Sequence, residues 1–173
     1  MRGSIEVHRY LTERAIAHEF YRLGRPLRRL DEAAALLGLE PSQVVSVKLF
    51  ETEQTPVLAL TAAGTRPTAA AVAKAMGDPR VRAASSSRVT EHTGFLAQWL
   101  PPVGHERTSR VALDESLGSA EVLYAAGGDP GVMLVIRAAD LIRATSATAA
   151  HLTIAVPAAG APVRELDPDL LAG

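Results

Sequence analysis

Ser46 and Lys48 stand two residues apart in the apolar run 44–51, VVSVKLFE. In a strand, residues two apart leave the same face, so the hydroxyl and the amine form a small polar patch. A lysine in an apolar setting is costly unless it is paired or opens into a cleft. Desolvation lowers its pKa and suits it to act as a base or as a cation that polarises a carbonyl. The same spacing also describes an edge-strand lysine that snorkels to water and deters pairing, and both readings stay open. Four further features can touch a ligand. The segment 93–105, TGFLAQWLPPVGH, joins Gly94, Pro102 and Gly104 to the only tryptophan, Trp99, which can stack a nucleobase or lid the core. His105 closes that segment, either as a group titrating near neutrality beside a phosphate or as an ordinary polar residue. Arg22, Arg25, Arg28 and Arg29 crowd together without an acid among them, a pattern that fits phosphate contact or a solvated loop. Gly127 and Gly128, with Gly131, allow backbone amides to approach an anion, but neither a P-loop lysine nor a dinucleotide fingerprint accompanies them.

Composition narrows the chemistry. The chain has no cysteine, which excludes disulfides, thiolate metal sites and cysteine nucleophiles, and its five histidines are scattered without metal-ligand spacing. Lys48 and Lys74 are the only lysines among 18 basic residues, so each lysine position is informative. Against 19 acidic residues the net charge is −1, so any nucleic-acid contact must be local rather than driven by a bulk field. The charged N-terminus lacks a signal-peptide core, and no apolar run approaches the ~18 residues of a membrane span. A cytoplasmic location is expected.

The 173 residues suit one domain, expected over 1–157, with 158–173, AAGAPVRELDPDLLAG from its first alanine, as a C-terminal tail. Helical spacing over 4–17 predicts a first helix with Ser4 as cap, and HEFYRL, 18–23, a strand leading into a Gly-Arg-Pro turn. Asp31 is the expected cap of a second helix that Gly38 stops. The runs 44–51 and 55–62 predict a hairpin, and 68–76 an Ala-rich helix between a Thr cap and Gly77. A brief strand over 81–83 and a helix capped by Ser86 or Ser87 and ended at Thr93-Gly94 come next. Strands are expected over 110–113, 121–125 and 132–136, the last two joined by the glycine-rich turn, then a helix over 138–145 and a strand over 151–157. Helices interleaved with hairpins predict α/β of an α+β-like kind: one mixed sheet surrounded by helices.

The succession GLEPSQVV, PVLALTAAG, AAAVAKAMG, VTEHTGF, PPVGH, LDESL, LYAAGG and IRAADLIRAT resembles the YbaK/EbsC family across residues 16–145. These are aminoacyl-tRNA deacylase domains related to the editing insertion of bacterial prolyl-tRNA synthetase. The resemblance implies a pocket for the 3′-aminoacyl-adenosine end of a mischarged tRNA and hydrolysis of the aminoacyl ester without metal or cofactor. This chain departs from the family pattern at three places. Ser46 occupies the position of the family's pocket lysine, with Lys48 one same-face step further along. Gln98-Trp99 replaces a Gly-Gly pair, and Ala126 and Met133 stand where some members carry a polar Ser and Asp.

The expected site follows from both lines of reading. Lys48 and Ser46 are the catalytic candidates. Phe20, Tyr21, Gly94, Trp99, Pro102, Gly104, His105, Gly127 and Gly128 are the substrate-binding candidates, and Arg22, Arg25, Arg28 and Arg29 the nucleic-acid contacts. The expected partner is the tRNA acceptor end, presented by a synthetase or elongation factor, with no membrane and no DNA. A catalytically silent relative that binds aminoacyl-tRNA or a similar small ligand is the alternative, and a module for a protein partner is a third.

Overall fold

A computed structural model describes residues 1–25 and 27–155. The C-terminal tail expected over 158–173, and the end of the strand expected over 151–157, lie outside the described residues. In chain order the elements are α1 (Ser4–Glu13), β1 (Glu19–Arg22), α2 (Asp31–Leu37), β2 (Val44–Thr52), β3 (Val57–Ala62), β4 (Thr65–Pro67), α3 (Ala69–Met76), β5 (Val81–Ala83), α4 (Ser86–Thr93), β6 (Arg110–Asp114), β7 (Val122–Ala126), β8 (Val132–Arg137), α5 (Ala138–Thr145), β9 (Thr148–Ala150) and β10 (Thr153–Ala155). Short 3₁₀ turns at Pro41–Gln43, Ala97–Trp99 and Glu115–Ser119 join them.

Eight strands form one mixed sheet in the order β1-β8-β7-β2-β3-β6-β9, with β5 paired to the end of β2, and β4 and β10 form a separate two-stranded ladder. β2 and β3 are the antiparallel hairpin that their β-branched runs predict, while β2 runs parallel to β7 and β3 parallel to β6. This is the α/β, mixed-sheet architecture expected from the sequence.

Alternation along β2 separates two cores. Val45, Val47 and Leu49 join Leu58 and Leu60 of β3 and Leu123 and Leu134 beyond them in one large cluster, covered by Val7 and Leu11 of α1, Val89 of α4 and Leu141 of α5. On the opposite face, α2 covers one end through Ala34 packed on Val44 and Ala63. At the other end Phe50, Val57, Ala59 and Ala112 pack on Val72 of α3. Between these two helix-covered patches the same face carries Ser46 and Lys48.

Several element ends differ from expectation for local reasons. α1 stops at Glu13 rather than 17 because Ala15 takes a left-handed backbone conformation (φ 54°). Asp31 does not cap α2: Leu30 precedes the helix, and the Asp31 carboxylate is held by Arg29 at 2.6 Å. α4 is capped by Ser85, whose hydroxyl accepts the Arg88 N–H, one residue before the expected caps. The strand expected from His151 starts at Thr153 as β10, and the sequence reading did not include β9, which precedes it; between them the Leu152 N–H donates to the buried Asp114 carboxylate at 2.8 Å.

Candidate active site

β2 pairs with β7 only through Val44 and Val45, and with β5 only from Phe50 to Thr52. Over residues 46–48 that side of β2 has no strand partner among the described residues, and a cleft opens there. Its volume is about 630 Å³, within the range of ligand sites. Ser46, Val47 and Lys48 form one wall, Ala97, Gln98 and Leu100 another, Arg28 to Asp31 at the start of α2 a third, and Ala63 to Arg66 the fourth. Ser46 is half-buried and Lys48 exposed. The turn from β3 to β4 that brings Arg66 to the rim depends on Gly64, which sits at φ 80°.

The cleft is electropositive. Arg28, Arg29, Lys48 and Arg66 line it against a single carboxylate, Asp31, which Arg29 already engages. Arg28, Lys48 and Arg66 have no ion-pair partner among the described residues. Cations gathered from three separate elements without compensating acids suit an anionic ligand. A second, smaller concavity of about 450 Å³ lies among Glu51, Glu53, Arg80 and Arg82. Its charges pair with one another, Arg80 with Glu53 at 2.9 Å and Arg82 with Glu51 at 3.1 Å, which leaves little for a ligand. Among the described residues no group of three or more His, Asp or Glu could hold a metal ion.

The structure brings together Ser46, Lys48, Arg28 and Arg29 and places the other candidates elsewhere. Trp99 is 3% exposed and packs with Leu23, Leu27, Ala33, Ala126 and Met133, so it anchors α2 to the sheet instead of offering a face to a base. Ala126 and Met133, the two apolar departures, fill that same cluster. Gly94, Gly104 and Gly128 cradle the N-terminal segment. The Gly94 carbonyl accepts the Arg2 N–H at 2.8 Å and the Gly104 carbonyl accepts the Arg2 guanidinium at 3.2 Å. A Cβ on Gly104 would stand 3.2 Å from Val7 backbone, and one on Gly128 would stand 2.9 Å from Gly3 backbone. Gly127 donates its N–H to Val132 in the β7–β8 turn, and Pro102 is buried.

His105 lies half-buried against the core. Its ring meets Phe95 edge-on at 5.9 Å, and Nε2 lies 2.7 Å from the Pro101 carbonyl oxygen. Burial pushes its pKa down to about 4, so the neutral ring donates Nε2–H to Pro101 at physiological pH. Phe20 is half-buried against His8 and His18, Tyr21 is 52% exposed on β1, and Arg22 and Arg25 are exposed; none of the four lines the cleft. Arg66 lines it and escaped the sequence reading, and Gln98, read there only as a departure from the family pattern, lines it too; only the β3–β4 turn and the approach of 97–100 to β2 place them there.

Comparison with known proteins agrees with this architecture. The model of the aminoacyl-tRNA editing domain matches residues 25–144. A solved structure described as a "putative trans-editing enzyme for prolyl tRNA synthetase" is similar at 30% identity, with a TM-score of 0.80 over 87% of this chain and 96% of that one. The hypothetical protein APE2540 is similar at 25% identity and a TM-score of 0.80, over 86% of this chain and 99% of that one. The chain belongs to the aminoacyl-tRNA editing domain family, and the resemblance to the YbaK group stands. No helix among the described residues is long and apolar enough to cross a membrane.

Proposed function

We propose that this chain hydrolyses the ester of mischarged aminoacyl-tRNA in trans, within the cleft beside β2. The observation that carries this reading is the joint opening of Ser46 and Lys48 into a cleft whose rim bears Arg28 and Arg66 without ion-pair partners. Water adds to the ester carbonyl carbon, the Lys48 ammonium and Ser46 hydroxyl stabilise the negative oxygen that develops, and the bond to the ribose 3′-oxygen breaks. The ribose oxygen takes up a proton, leaving free amino acid and deacylated tRNA. An activated ester needs only an ordered water and a polarised carbonyl, so placement and electrostatics suffice. Arg28 and Arg66 receive the phosphates of the acceptor end. With a net charge of −1 the chain holds tRNA through few contacts, which suits presentation of the substrate by a synthetase or elongation factor in the cytoplasm. The domain that performs this spans 1–157.

A second reading is supported by Ser46 itself. It fills the position of the family's pocket lysine, and an ammonium two residues along is displaced by ~6–7 Å, a distance that suits a cleft kept for binding aminoacyl-tRNA without turnover. Deacylation of tRNAs charged with Ala, Ser, Cys and Pro, by wild type and Lys48→Ala, separates the two. A roughly 100-fold loss of kcat in Lys48→Ala is expected. Full turnover in the variant removes Lys48 from the mechanism, and no turnover by wild type on any substrate favours the binding reading.

A further inference from the structure

Among the described residues, Thr61 Oγ1 is the one buried side-chain polar atom without a hydrogen-bond partner. Thr61 lies on β3 and is fully buried. A hydroxyl removed from water and left unbonded destabilises the fold, and valine would occupy the same space without that penalty. Stability therefore gives no reason for a threonine here. Its surroundings give another. Thr61 is the register partner of Ser46, and Lys48 is paired with Ala59 one same-face step away. Directly paired residues share a face, so the Thr61 and Ser46 side chains stand side by side, with Ser46 at the cleft wall. The Ser46 hydroxyl also makes no hydrogen bond to another described residue, whereas those of Ser4, Ser116 and Ser119 each donate one. Thr and Ser hydroxyls directly opposed in a strand pair are a recurring hydrogen-bonding couple.

We propose that Thr61 is a positioning residue of the cleft: its hydroxyl holds the Ser46 hydroxyl in the orientation that donates to the substrate's acyl oxygen. This rests on the deacylase reading above. When the cleft is empty both hydroxyls are free to turn; when an acyl oxygen enters, Ser46 donates to it and accepts from Thr61. The arrangement supplies an aligned donor where negative charge develops, and its value is realised in the reaction more than in ground-state binding.

The test is steady-state deacylation by wild type, Thr61→Val, Thr61→Ser, Ser46→Ala and the Thr61→Val/Ser46→Ala double variant, with thermal unfolding of each. Thr61→Val is expected to melt at or above the wild-type temperature, keep KM within about twofold and lose roughly tenfold in kcat, because an aligned donor and not a binding contact is lost. Thr61→Ser, which keeps the hydroxyl, is expected to restore kcat to within about threefold. The double variant is expected to be no slower than Ser46→Ala, since residues acting as one unit do not add. Wild-type kcat in Thr61→Val, or additive losses in the double variant, would overturn the inference while leaving the deacylase reading in place. Wild type inactive on every charged tRNA would overturn both.

Discussion

Asp129, in the turn between β7 and β8, accepts both the backbone N–H and the hydroxyl of Ser4, at 2.8 and 2.5 Å. The residue before α1 is Gly3, which has no side chain to cap the helix, so the cap arrives from 125 residues away. A carboxylate there also meets the positive end of the helix dipole. The Gly3 N–H is satisfied in turn by Glu6 at 2.8 Å, a bond that holds the Glu6 carboxyl below its ordinary pKa. The glycine-rich turn thus serves the attachment of α1 to the editing domain, whose family match begins only at residue 25.

Asp129→Ala is expected to cost about 1–3 kcal/mol, the range for removing a helix cap together with a partly buried hydrogen bond. Chemical denaturation measures it, and Asp129→Asn, which keeps an acceptor oxygen, should recover part of the loss. Gly128→Ala is expected to act in the same direction, because residue 128 sits at φ 105° and its new Cβ would press on Gly3. Limited proteolysis should then release the N-terminal segment ahead of the rest.

Trp99 gives an optical check on the placement of the cleft. As the only tryptophan, buried at 3% exposure, it should emit at short wavelength and resist quenching by iodide. Binding of tRNA is expected to leave that quenching unchanged, whereas a base stacked on the indole would alter it. Trp99→Ala should cost about 3–5 kcal/mol through the cavity left beneath α2.

Helix ends were legible where a glycine stop or a threonine cap decides them, and not where Ala15 ends α1 or Ser85 caps α4. Gly38, Gly77 and Gly94 all take left-handed conformations at the positions expected to stop α2, α3 and α4, and the Thr68 hydroxyl accepts the Ala71 N–H as a cap. Asp31 looked like a cap by type alone, and Arg29, two residues earlier, claims its carboxylate. β4 carries a proline in three residues and pairs only with β10, a long-range contact that no local pattern announces. In the cleft, Ser46 and Lys48 share a face because strand periodicity is two, so they were legible together. Thr61 entered only through the β2–β3 register, and Arg66 only through the turn at Gly64. Glycines cannot declare from sequence whether their missing Cβ makes room for a ligand or for the protein's own backbone; at 104 and 128 it is the backbone of α1 and its preceding residue.

His105 makes stability depend on pH in a defined window. Burial holds its folded pKa at about 4, below the ~6.5 of an unfolded chain. The unfolded state therefore binds more protons between these values, so the contribution is fully present above about pH 6.5 and lost as pH falls toward 4. Burial lowers the His92 pKa as well, which adds in the same sense. Unfolding free energy measured at pH 7 and at pH 4.5 should differ by on the order of 2–3 kcal/mol through His105. His105→Gln, whose amide can still donate to Pro101, is expected to flatten that part of the slope.

Arg28 and Arg66 are a test of where RNA lies. If the acceptor end enters between them, each alanine substitution should weaken tRNA binding for every aminoacyl group alike, because a phosphate contact carries no information about the amino acid. Each should also reduce the slope of log affinity against log salt by roughly 0.7, the value for one phosphate contact on a single strand. Arg29→Ala should change the slope less, since its guanidinium is committed to Asp31 at 2.6 Å. Arg22→Ala and Arg25→Ala, outside the cleft lining, serve as controls. Filter binding across a salt series separates the sets: equal slopes for all five variants would place the RNA elsewhere on the surface, and a loss confined to Arg28 and Arg66 would place its phosphates at the rim beside Lys48.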